Sequence, residues 1–272
     1  MSIKKNPNLS SPFGGQGAVI PNLFTLLNLF FGCLAIIFTM QNGIDIIYDK
    51  ESGQQFINLN PERIYFAAVF IFCAAIFDFL DGFAARLLKS SSPIGKQLDS
   101  LADVVSFGVA PGCIVYQFLR MAFMRDQGGI EASLIWLLPA LIVPCAAAFR
   151  LAKFNLDEGQ SHNFKGLPTP AMGLLIASLP LIYFYNENDV IRDILNNKWV
   201  LYITILIVSY LMISNIPFMG MKFKDYSVKN NLPKMILIVV AVISAVFLQW
   251  IAVPVIFISY FILSIVNKNK FT

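Results

Sequence analysis

Hydrophobic residues in this chain do not alternate with polar ones but come in long blocks. Apolar runs cover roughly 18–40, 64–88, 100–122, 132–152, 170–186, 198–217, 234–249 and 251–267. Each lies near the ~20 residues that carry a helix across a bilayer, and the short polar stretches between them hold nearly all the charge. The pattern predicts an all-α, polytopic transmembrane helical bundle of about eight spans. The last two spans form one apolar run, divided only near Trp250 to Pro254. The segment before Ala18 is polar and contains Lys4 and Lys5. No small-residue cleavage site follows the first apolar block, so that block is expected to stay as a helix.

Composition agrees with this. Hydrophobic residues make up 57% of the 272 and charged residues 13%, against about 45–50% and about 25% in soluble domains. With eight spans, fourteen of the twenty Lys and Arg fall on the side of the two termini and six on the other. The positive-inside rule then puts both termini, and the segment joining spans two and three, in the cytoplasm. The net charge of +4 follows from that bias and from contact with anionic membrane lipids, so no nucleic-acid partner is implied. Cys33, Cys73, Cys113 and Cys145 lie within apolar spans without paired spacing and read as small core residues. His162 stands alone.

Chemistry concentrates between Phe77 and Gly112, where four aspartates sit at the ends of apolar helices. An ionisable group in a membrane helix costs about 2.5–3.5 kcal/mol on insertion scales and marks a functional site. Asp78 and Asp81 share a helix face with Gly82 and Ala85. After a polar break at Ser90 to Pro93, Gly95, Asp99 and Asp103 recur every fourth residue on the next helix. Facing acidic stripes repel unless a cation lies between them. Oxygen-only ligands suit a hard divalent metal, Mg²⁺, Mn²⁺ or Ca²⁺, with Mg²⁺ or Mn²⁺ expected as one or two ions. The glycines and Ala85 leave room beside the acids for a ligand, and Arg86 either neutralises an acid or reaches the membrane surface.

These positions resemble the signature of the CDP-alcohol phosphatidyltransferase family: Asp78, Asp81, Gly82, Ala85, Arg86, Gly95, Asp99 and Asp103 match it without departure over twenty-six residues. The resemblance implies that the four aspartates hold divalent metal and that Asp103 is the general base for an incoming hydroxyl. It also implies that Gly82, Ala85, Arg86 and Gly95 lie against a CDP-linked lipid. Asn22, Thr25 and Asn28, at three-residue intervals on the first span, either reach the nucleotide or bond another helix.

Three further segments resemble the serine-using, integral-membrane branch of that family: Pro21 to Gly32, Ser106 to Gly112, and Phe149 to Asn155 followed by Phe164 to Pro170. They imply CDP-diacylglycerol and L-serine as substrates, with Arg150 and Lys165 as cations for the acceptor. Glycerol 3-phosphate or an inositol derivative is the rival acceptor, and a divalent-cation transporter the remote alternative. Phe164 to Pro170 reads as a rigid turn over the head-group site. The expected division is 1–17 as a cytoplasmic segment, 18–217 as a six-helix catalytic core, and 218–272 as a two-helix extension. Family resemblance adds a homodimer in a bacterial cytoplasmic membrane.

Overall fold

The computed structural model describes residues 19–41, 44–48, 55–59, 62–89, 92–125, 132–156, 164–220 and 228–267. Its helices are α1 (Val19–Met40), α2 (Glu62–Leu87), α3 (Pro93–Met124), α4 (Leu138–Leu156), α5 (Thr169–Tyr185), a short α6 (Asp189–Leu195), α7 (Lys198–Ile213), α8 (Val228–Leu248) and α9 (Ala252–Val266). Two small antiparallel pairs accompany them: β1 (Ile44–Tyr48) with β2 (Gln55–Leu59), and β3 (Phe164–Lys165) with β4 (Pro217–Phe218). The all-α membrane bundle expected from the apolar blocks is therefore present, although among the described residues five helices, or six with the bent pair α6–α7 and with α8–α9 counted as one stretch, are long and apolar enough to cross a membrane, fewer than the eight expected. Neither α6 nor the β1–β2 hairpin has a counterpart in those blocks.

Helix α3 starts seven residues before the third apolar block, at Pro93. Polar residues open it, and local chemistry sets its start. Ser92 is the N-cap, its Oγ accepting a hydrogen bond from Gly95 N at 2.9 Å, and proline follows at the first helical position. The extension lets Gly95 and Asp99 sit on the same helix as Asp103.

Helix α1 turns an unusual face inward. Its buried residues are Pro21, Asn22, Thr25, Asn28, Gly32, Ala35 and Thr39, spaced by three or four as one helical face requires. They are polar or small, while leucines and phenylalanines such as Leu23, Leu26 and Phe30 face outward. This suits a helix whose outer solvent is lipid and whose inner neighbours are helices or a polar site. An aromatic ladder joins α1 to α2: Phe31 stacks on Phe77 at 5.2 Å, and Phe38 meets Phe70 edge-on at 5.0 Å. The common core gathers Ile71, Phe107, Ile114, Phe118, Met172 and Ile176. Cys33 and Cys145 are exposed on the outer surface, so these two are not the core residues expected of them, whereas Cys73 and Cys113 are half-buried. His162 lies outside the described residues.

Helices α8 and α9 form an antiparallel hairpin. Between them Gln249 adopts a left-handed φ of 49°. Trp250 at the turn packs near Phe72 and Tyr185, with ring centroids 6.1 and 6.4 Å apart. The far end of α9 returns to the segment preceding α8, where Tyr260 Oη donates to Met219 O at 2.9 Å and Met219 N donates to Ser264 Oγ at 3.1 Å. Next to Met219, β4 pairs with β3, and Gly166 follows with φ of 79°. A Cβ there would lie 2.5 Å from Met212 O, so the expected rigid turn needs glycine on both counts.

Candidate functional site

The acidic ends of α2 and α3 converge on the polar face of α1. One carboxylate oxygen from each of Asp78, Asp99 and Asp103 lies within 4.8 Å of the other two. Asp81 stands beside this group and is tied to α1, its Oδ2 accepting a hydrogen bond from Thr25 Oγ1 at 2.8 Å. One turn further along α1, Asn28 Nδ2 donates to Asp103 Oδ1 at 3.2 Å. Thr25 and Asn28 thus hold one aspartate each, from α2 and α3 respectively.

A cleft of about 270 Å³ opens beside the carboxylates, lined by Pro21, Asn22, Thr25, Asp81, Gly82, Ala85, Ser92, Gly95, Lys96 and Asp99. The small residues play distinct parts. A Cβ on Gly82 would meet nothing within 4 Å, so its missing side chain leaves free space. A Cβ on Gly95 would lie 2.9 Å from Asn22 Oδ1 and 3.0 Å from Ser92 Oγ, so this glycine lets α1 approach α3. Arg86 is exposed and does not line the cleft. Lys96, one of the fourteen basic residues on the side of the termini and not among the expected site residues, does line it and also reaches Asn155 O at 3.5 Å.

Arg150 lies deeper, 7% exposed on α4. It donates through Nη1 to Thr169 Oγ1 at 3.2 Å and lies within electrostatic reach of Asp103 and Tyr260. Its Nε has no hydrogen-bond partner. Lys165 belongs to β3, paired with Pro217 of β4, but its side chain lies outside the described residues.

The run from Ser106 to Gly112 proves to be a packing device behind the carboxylates. Immediately after Asp103 and Val104, residues Val105–Val109 form a π turn within α3, a feature that frequently accompanies functional sites. Ser106 Oγ donates to Asn28 O at 3.0 Å. A Cβ on Gly32 would come within 2.8 Å of Ser106 Cα, one on Gly108 within 3.0 Å of Ala147 Cβ, and one on Gly173 within 2.9 Å of Phe107 Cβ. Helices α1, α4 and α5 therefore close on the π turn through glycine contacts, fixing the height of Asp103.

The donor set fits a divalent cation. Opposite oxygen ligands stand about 4.8 Å apart on Ca²⁺ and closer on smaller divalent ions, and the three carboxylate oxygens lie within 4.8 Å of one another. All are oxygens, and three negative charges this close need compensation.

Residues 18–210 match the family model described as CDP-alcohol phosphatidyltransferase. The chain belongs to the CDP-alcohol phosphatidyltransferase family. Within it, the chain is similar to the CDP-diacylglycerol–serine O-phosphatidyltransferase of Helicobacter pylori, 30% identical over 236 residues, covering 85% of this chain and 82% of the relative. The enzyme of that name from Bacillus subtilis is 34% identical over 168 residues, 62% of this chain and 81% of the relative. The archaetidylserine synthase of Methanothermobacter thermautotrophicus is 29% identical over 170 residues, 62% of this chain and 60% of the relative.

Proposed function

We propose that this chain transfers the phosphatidyl group of CDP-diacylglycerol to the hydroxyl of L-serine, giving phosphatidylserine and CMP, and that it depends on a divalent metal. The observation that carries the reading is the three-carboxylate cluster opening beside a cleft whose floor Gly82 leaves empty. Serine as acceptor follows from the names of the relatives across bacteria and an archaeon.

In this reading the cleft takes the cytidine and pyrophosphate, with the nucleotide against Gly82 and Ala85, Asn22 and Thr25 at its edge, and Lys96 by the phosphates. Arg86 stays at the rim. Asp78, Asp99 and Asp103 would hold a divalent ion, Mg²⁺ or Mn²⁺, which when bound would offset charge on the pyrophosphate and on departing CMP. Asp81, tethered by Thr25, borders both the three-carboxylate cluster and the cleft. Asp103 receives the proton of the serine hydroxyl. The serine oxygen forms a bond to the phosphorus that carries diacylglycerol, and the P–O bond to CMP breaks. Arg150 offers its unpartnered Nε to the serine carboxylate, with Lys165 as the second cation.

The lipid tails stay in the bilayer while CDP and serine arrive from water. The fourteen-to-six distribution of Lys and Arg supports a cytoplasmic face for the cleft and both termini. We assign residues 18–217 to the catalytic core and, from the family resemblance, a homodimer in a bacterial cytoplasmic membrane to the working form.

The test is release of CMP by the purified protein in detergent, with Mn²⁺ or Mg²⁺, offering L-serine, glycerol 3-phosphate, inositol and inositol phosphate separately. Release with serine alone is expected. Release with another acceptor overturns the serine assignment but keeps the chemistry, and the absence of metal-dependent release with all four overturns the enzyme reading.

A further inference from the structure

Asn28 lies against Asp103 without belonging to the family signature or lining the nucleotide cleft. It is 0% exposed. Its Nδ2 is committed to Asp103 Oδ1 at 3.2 Å, and its main-chain oxygen receives Ser106 Oγ at 3.0 Å. Its side-chain oxygen, by contrast, has no hydrogen-bond partner. A buried amide oxygen without a donor is destabilising, a cost removed when a ligand supplies the donor.

Covalent geometry limits where that oxygen can be. The two polar atoms of an amide are about 2.3 Å apart. With the 3.2 Å bond to Asp103, the free oxygen stands no more than about 5.5 Å from the Asp103 carboxylate oxygen. Two acceptors are therefore side by side, one a carboxylate and one a neutral amide.

Serine brings two donors on adjacent carbons, a hydroxyl and an ammonium. We propose that Asn28 is the acceptor-specificity residue: its N–H holds Asp103 in position for the hydroxyl proton, and its carbonyl oxygen accepts a hydrogen from the acceptor's ammonium. This rests on the reading of the chain as a serine transferase with Asp103 as base. The neutral amide is suited to the task, because another carboxylate here would add to the repulsion among Asp78, Asp99 and Asp103, whereas an amide offers an acceptor without charge. Glycerol 3-phosphate and inositol present no ammonium, so a site built this way leaves the Asn28 oxygen unpaired when they bind.

The experiment compares wild type and Asn28→Leu, close in size but without polar atoms, using L-serine and glycerate, which keeps the hydroxyl and carboxylate and lacks the ammonium. Steady-state CMP release with Mn²⁺ is measured against each acceptor and against CDP-diacylglycerol. The expected result is a kcat with serine at least tenfold lower, a higher KM for serine, and a KM for CDP-diacylglycerol within twofold of wild type. The preference for serine over glycerate should shrink by about 10–100-fold, the worth of a hydrogen bond to a charged group. Equal losses with serine and glycerate, or a rise confined to the CDP-diacylglycerol KM, overturn the ammonium contact, and so do unchanged parameters. Should Asn28→Leu not fold, Asn28→Ala, which only opens space, carries the same comparison. Wild-type protein inactive with serine overturns the serine reading itself, and the ammonium contact falls with it; an active wild type with an indifferent Asn28 variant overturns only the present inference.

Discussion

Thr25 Oγ1 lies 2.8 Å from Asp81 Oδ2, so a helix with no acidic residue of its own reaches across to hold one of the four signature carboxylates. The same hydroxyl also contacts Pro21 O at 3.1 Å, one turn back on α1. It is buried at 3% exposure, which makes its substitution a clean probe of what the tether does.

Thr25→Val keeps the shape and removes the donor. Loss of one such bond is worth about 1 kcal/mol, or about fivefold. The expected outcome is a KM for CDP-diacylglycerol raised about fivefold with the KM for serine unchanged, measured by CMP release. An unchanged CDP-diacylglycerol KM removes Asp81 from the nucleotide side of the site.

The carboxylates should separate into two classes. Asp103→Asn is expected to lower kcat by about 10²–10⁴-fold, the usual contribution of a positioned base, while binding of CDP-lipid partly survives. Asp78→Ala and Asp99→Ala should instead raise the Mn²⁺ concentration needed for half-maximal binding of CDP-lipid, and Asp81→Ala should do so less, because its oxygen lies outside the three-carboxylate cluster. Equilibrium binding of CDP-lipid across a Mn²⁺ titration checks all four. Normal turnover in Asp103→Asn ends its assignment as base.

Chelation gives an independent reading of the same cluster. EDTA should abolish CMP release and leave the helical fold intact, since the bundle is held by its apolar and glycine contacts. Mg²⁺ or Mn²⁺ should restore activity. Zn²⁺, which prefers nitrogen and sulfur ligands, should restore it poorly. Activity that persists in EDTA defeats the metal assignment.

Glycines that are alike in sequence should behave differently. Gly82→Ala places a methyl in open space, so thermal stability should hold while the KM for CDP-diacylglycerol rises. Gly173→Ala drives a methyl to 2.9 Å from Phe107 Cβ, and overpacking of this kind costs about 1–3 kcal/mol. Melting curves in detergent, together with KM values, distinguish the two. Equal loss of stability in both refutes the open space at Gly82.

Much of this was legible in the sequence because membrane helices announce themselves as uninterrupted apolar blocks, and because buried aspartates have no cheap structural role. Spacing put Asp78 with Asp81 on one helix face and Asp99 with Asp103 on another, but that Asp81 stands outside the three-carboxylate cluster could not be read from it. Helix ends were less legible: α3 begins at Pro93 because of the Ser92 cap, a polar signal that hydropathy does not register. The capping asparagine before α6, Asn188, whose Oδ1 accepts from Val190 N, is a signal of the same kind. Contacts between helices distant in sequence were not legible. Nothing in the first span says that Thr25 meets Asp81 and Asn28 meets Asp103, or that Lys96 turns toward the cleft. The run from Ser106 to Gly112 carried a family resemblance, but only the packed helices reveal that its π turn and glycine contacts support Asp103 from behind.

The grip of α9 on Met219 has a consequence for how the protein comes into being. Tyr260 and Ser264 engage both main-chain groups of Met219, next to the strand that pairs with β3 and a few residues from Thr169, the partner of Arg150. A chain is made from its N-terminus, so the four aspartates and α1 are in the membrane long before Ser264 has been synthesised. The four aspartates are made early, while the clasp on Met219 beside the β3–β4 pair closes only when the last helix has been inserted. On this order of synthesis, Tyr260 and Ser264 near the end of α9 are the last groups to engage that segment, and their arrival closes the fold.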